Sequence, residues 1–155
     1  MTSKGTVDEI PTWFWDILVE TRPSLLALAK RLEALPRERL IAFASAYETA
    51  AEEVCDYWSG PVVGGVEYSE DDTEDLCKWI VAQGPDLWRT AVQLRGAIAP
   101  MGELKIASDA GRRNEHPRWS TEVENVAYEG YQAPESVAYA IFAARFGQDL
   151  HELLG

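Results

Sequence analysis

The chain has 155 residues, 46% hydrophobic and 26% charged, a size and balance that fit one globular domain and argue against global disorder. Its formal net charge of −12 disfavours nucleic acid and anionic lipid as partners, and no apolar run reaches the roughly eighteen residues that would cross a bilayer. Cys55 and Cys77 are the only cysteines, too few for a disulfide framework and too isolated for a zinc site, so reduced, buried thiols in a cytoplasmic protein are expected.

Residues 1–10 are polar and read as a flexible N-terminus without the apolar centre of a secretory signal. Residues 11–155 read as a single helical domain. Pro11 fits the start of a first helix whose apolar face carries Trp13, Phe14, Ile17 and Leu18, and Pro23 ends or redirects it. Leu25, Leu28, Leu32 and Leu35 repeat at the spacing of a second helix, which Pro36 closes. The clearest helix follows, with Leu40, Phe43, Ala44, Tyr47, Ala51, Val54 and Trp58 on one face before the Ser59-Gly60-Pro61 stop.

Residues 61–68 form a Val- and Gly-rich connection with room for a short extended piece but no evident sheet. A helix from about Asp72 turns Leu76, Trp79 and Ile80 inward and ends at Gly84-Pro85; Leu87, Trp88, Ala91, Val92 and Leu94 mark the next. From Gly96 to Trp119 the punctuation by Gly96, Pro100, Gly102, Gly111 and Pro117 predicts one long loop, with at most a short helical turn near Leu104–Ala107. Ser120 fits the cap of a helix carrying Val123, Val126, Ala127 and Tyr131. Pro134 opens a last main helix carrying Val137, Ala138, Ile141, Phe142 and Ala144, Gly147 is its expected C-terminal residue, and Leu150, Leu153 and Leu154 add one more apolar turn. The fold class expected is all-α, a single-domain bundle of about six helices with a long loop over residues 96–119.

Phe14-Trp15, then Leu35-Pro36 with Phe43, the Tyr57-Trp58 pair, the acidic Ser69–Asp72 segment, and Trp79-Ile80 followed by Gln83-Gly84 appear in that order along the chain. In these features it resembles a bacterial family known as domain of unknown function 4240. Glu70 is an insertion relative to the usual Ser-Asp-Asp, Leu76 stands near the usual aromatic, and Ser59–Gly65 replaces an Ala-rich aromatic segment. About half of the chain is covered. The resemblance implies a helical, soluble bacterial protein and no particular reaction.

Charge is distributed very unevenly. Between Arg39 and Lys78 stand ten acids and no base: Glu48, Glu52, Glu53, Asp56, Glu67, Glu70, Asp71, Asp72, Glu74 and Asp75. Glu48, Glu52 and Asp56 recur every four residues along the long helix, where like charges cost roughly 0.2–0.5 kcal/mol per pair. Acids near a helix C-terminus also oppose the macrodipole. Such a stripe is either a solvated face neutralised by bases from elsewhere in the fold or a surface kept acidic for a partner. In the second cluster, residues 69–75, the acids lack the alternating oxygens and central Gly of a calcium loop. Asp72 as N-cap with Asp75 at N3 accounts for part of it, leaving Glu70 and Asp71 surplus.

Neither His116 nor His151 sits in a metal-ligand spacing, and no nucleophile signature accompanies either cysteine. Arg112, Arg113, His116 and Arg118 form a basic clump suited to an anion or to pairing within the molecule. Trp119, in a polar stretch, reads either as a partly exposed anchor or as the residue that tucks the loop down. The function expected is a small acidic cytoplasmic protein-binding module, of the inhibitor or immunity-protein type by analogy of charge and size, engaging a basic protein surface. Its expected contacts are Glu48, Glu52, Glu53, Asp56, Glu70, Asp71 and Trp119, with no catalytic residue, metal, cofactor, nucleic acid or membrane. The alternative is a carboxylate- or metal-dependent hydrolase built around Asp71 and Asp72 with His116.

Overall fold

The computed structural model describes residues 10–55, 60–111, 116, 119, 122–123, 126–127 and 133–154. The N-terminal segment before Ile10, Asp56–Ser59, and Arg112, Arg113 and Arg118 lie outside the described residues. Eight helices are found among the rest, together with two hairpins of two residues per strand, so the fold is all-α as expected. No described helix is long and apolar enough to cross a membrane. The chain divides into two compact units, Met1–Pro11 with Glu48–Arg118, and Thr12–Tyr47 with Trp119–Gly155.

In the unit of residues 12–47 and 119–155, α1 (Thr12–Thr21) buries Phe14, Trp15, Ile17 and Leu18. Helix α2 (Leu25–Glu33) is capped by Ser24, whose hydroxyl accepts from the Ala27 N–H at 3.0 Å, and buries Leu25, Leu28, Ala29 and Leu32. Helix α3 (Arg37–Val54) contributes Leu40, Phe43, Ala44 and Tyr47 to this core. Phe14 meets Phe43 at 5.0 Å and Tyr47 edge-on at 5.8 Å between ring centroids, an aromatic cluster that fixes α1 against α3. Helix α7 (Pro134–Phe146) packs on α2, and Arg145 of α7 donates to the Leu35 carbonyl at 2.7 Å. Gly147 takes a positive φ of 66° to end α7, and α8 (Leu150–Leu154) folds back with Leu150 buried.

The helix expected after Ser120 is instead a hairpin. Strand β3 (Glu122–Val123) pairs antiparallel with β4 (Val126–Ala127), Val123 opposite Val126. Two apolar residues three apart satisfy a helical face, but they can equally pair across two antiparallel strands, and β-branched valine favours the strand. Trp119, expected as a possible exposed anchor, is 7% exposed and belongs to the buried residues of this unit.

In the other unit, the last turns of α3 bury Ala50, Ala51 and Val54. A hairpin of β1 (Val62–Val63) and β2 (Val66–Glu67) turns through Gly64 and Gly65, whose φ values of 58° and 82° suit a tight hairpin turn that glycine adopts without strain. Helix α4 (Glu70–Ala82) packs on α5 (Pro85–Gln93) and on α6 (Ala99–Asp109). Trp88 of α5 is fully buried, its indole N–H donating to the Ala50 carbonyl at 2.8 Å.

Helix α6 occupies half of the segment expected as a loop. Pro100 lies in its first turn, where a missing N–H costs nothing. Gly102 is a contact residue rather than a breaker: a Cβ there would stand 2.5 Å from Val63 Cγ2, so its bare backbone lets β1 approach α6. Ser108 closes the helix by donating to the His116 carbonyl. The cysteines also differ from expectation. Cys55 and Cys77 form a disulfide with Cα atoms 6.4 Å apart, a spacing a bridge can span. They stand 22 positions apart, and the chain between them doubles back through the β1–β2 hairpin, a return path that sequence separation alone does not show.

Candidate functional site

The acidic run is divided between two helices that the disulfide joins. Glu48 and Glu52 stand one turn apart near the C-terminal end of α3, whose last turn contains no base. Alanines at 46, 50 and 51 keep the inner face of these turns thin and buried, which leaves the longer glutamates on the outer face. On α4, Glu70, Glu74 and Lys78 recur every four residues and so share one stripe.

Helix α4 begins three residues earlier than the sequence suggests, and its cap is Ser69 rather than Asp72. The Ser69 hydroxyl accepts from the Asp72 N–H at 3.1 Å, and the Asp72 carboxylate accepts from the Ser69 N–H at 3.3 Å. This reciprocal capping box places Glu70, Asp71 and Asp72 in the first turn, where the helix dipole favours negative charge. Asp72 is thus engaged in capping the start of the helix, while Glu70 and Asp71 are exposed and take no part in the cap.

The two stripes meet at a depression of about 100 Å³ lined by Glu48, Ala51, Glu52, Cys55, Glu74, Cys77 and Lys78. Three carboxylates and one ammonium leave its lining with a formal charge of −2. Glu52, Glu70, Asp71, Glu74 and Asp75 form no ion pair among the described residues. Bases elsewhere are engaged with other acids: Arg31 with Glu20, Arg89 with Asp86, and Lys105 with Asp109.

Of the expected contact residues, Glu48 and Glu52 are therefore brought together, and Glu70 and Asp71 sit one helical turn before Glu74. Glu53 is half-buried and does not line the depression, and Asp56 lies outside the described residues. Trp119 belongs to the other unit and is buried. Glu74, Lys78 and the disulfide were not among the expected contacts; the four-residue step from Glu70 to Glu74 was the available signal. Among the described residues, no group of three or more His, Cys, Asp or Glu side chains is placed to hold a metal ion.

No family model, curated protein or solved structure compared with the chain matches it.

Proposed function

We propose that this protein is a small acidic binding module whose α3–α4 face docks a basic segment of a protein partner. The observation carrying this reading is the set of carboxylates of Glu52, Glu70, Asp71 and Glu74, which form no ion pair among the described residues and outnumber Lys78, the one base lining the depression. Natural proteins offset such like-charge crowding with nearby lysine or arginine when it serves only solubility. Here two helices converge to concentrate it, and a concave, negatively charged surface speeds and orients association with a basic one. Inhibitor or immunity-type action on a basic protein is the form of binding that charge and size suggest by analogy. The resemblance to the domain of unknown function 4240 family is part of this proposal and adds no reaction to it.

The hydrolase alternative is less well supported. Asp72 is committed to the α4 cap. A cytoplasmic setting also belongs to the proposal, and there a disulfide such as Cys55–Cys77 is characteristically transient and redox-sensing rather than a permanent staple.

Affinity capture from the native host tests the docking reading, using the wild-type chain beside a Glu52→Gln, Glu70→Gln, Asp71→Asn variant. A basic protein retained by wild type, eluted by salt and lost with the variant is expected. Identical capture by both baits would reduce the acidic run to a solvated face.

A further inference from the structure

We propose that the Cys55–Cys77 disulfide is a redox switch for the acidic depression, an inference that rests on the docking reading above. Cys55 directly follows α3 and Cys77 lies within α4, and both line the depression beside Glu48, Glu52 and Glu74. The bond therefore holds two carboxylates of α3 beside one of α4. Their mutual repulsion opposes that arrangement, and a covalent tie maintains it. Helix α3 has a separate anchor just upstream, the Trp88 indole N–H on the Ala50 carbonyl. Buried Ala51 and Val54 keep the last turn of α3 packed, so cutting the disulfide frees Cys55 and loosens that turn against α4 without unfolding the helix. Glu52 and Glu74, no longer tied, move apart, and a basic segment loses the simultaneous contacts that the closed depression offers.

The two sulfurs differ in access, which sets the order of events. Cys77 is fully buried, whereas Cys55 is half-exposed at the depression. A low-molecular-weight thiolate attacks the Cys55 sulfur; the S–S bond breaks, and its electron pair leaves on the Cys77 sulfur, which takes up a proton. A second thiolate attacks the external sulfur of the mixed disulfide and releases Cys55, which is protonated in turn. Two electrons have passed to the protein, and two small thiols have become one small disulfide. The surrounding carboxylates repel anionic thiols, so a neutral reductant acts faster than a negatively charged one.

Calorimetric titration of a deca-arginine peptide into the full chain, oxidised and then reduced with dithiothreitol, tests the switch. The reduced chain is expected to bind about fivefold more weakly or worse. A Cys55→Ser, Cys77→Ser double variant should match the reduced chain and ignore dithiothreitol. Hydrogen exchange run in parallel should show faster exchange in residues 51–55 and 70–78 on reduction, with Val137 to Phe142 still protected. Equal affinity in the two redox states would overturn the switch and leave the docking reading standing. Loss of protection throughout the chain on reduction would also overturn it, because the bond would then be a staple of the fold. Wild-type affinity in an oxidised Glu52→Gln, Glu74→Gln variant would overturn the docking reading, and the switch with it.

Discussion

Gly102 shows how a single residue can carry opposite meanings in sequence and in structure. In sequence it is a helix breaker; in α6 it is the point where Val63 approaches the helix backbone, and an added Cβ would lie 2.5 Å from Val63 Cγ2. Gly102→Ala gains about 1 kcal/mol of helix propensity, but the branched Val63 side chain is buried and has little room to yield. The overlap should dominate and destabilise the protein by about 1–3 kcal/mol in denaturant titration. Adding Val63→Ala to Gly102→Ala should recover part of that loss, because the two side chains contend for one volume. Trp119 teaches a related lesson. A tryptophan in a polar stretch is equally consistent with an exposed anchor and with a residue that pins its segment, and only its burial decides between them.

Among the elements, those with a long apolar period were legible. The core faces of α1, α2, α3 and α7 largely follow the apolar positions read from the chain, because each repeats over two or more turns and ends at proline or glycine; the exceptions are Trp15, buried on α1 in addition to the expected face, and Ala144, exposed on α7. Short segments were not. Val63 pairs with Val66 and Val123 with Val126 across antiparallel strands, and a three-residue step cannot separate a strand pair from a helical turn. Pro100 and Gly102 hid α6 because each has a helical use that depends on position and contact. The start of α4 was misplaced because Ser69, Asp71 and Asp72 are all N-cap residue types, and the reciprocal bonds select Ser69. Ser69→Ala should therefore cost about 1 kcal/mol in thermal or chemical unfolding, and Ser69→Asp should restore most of it. Unchanged stability in the alanine variant would move the cap elsewhere.

Of the candidate site, the excess of charge was legible at the scale of the whole chain, and its geometry was not. Sequence places Glu48 and Glu52 on one stripe, but a helix read from about Asp72 leaves Glu70 off the stripe of Glu74, and only the return of the chain through the β1–β2 hairpin brings α3 and α4 to one depression. The disulfide that marks their meeting was hidden for the same reason. At this scale the central question is whether a basic partner responds to a net charge of −12 or to its concentration on the α3–α4 face. Two triple variants with the same net charge separate these. Glu52→Gln, Glu70→Gln, Asp71→Asn removes charge from the face; Glu33→Gln, Glu103→Gln, Glu152→Gln removes as much from exposed positions elsewhere. The measurement is calorimetric titration of deca-arginine into the wild type and both variants, oxidised and at low salt. A local docking face predicts affinity about tenfold weaker for the first variant and within about twofold of wild type for the second. Equal weakening in the two would assign the attraction to net charge alone and contradict a site on α3 and α4.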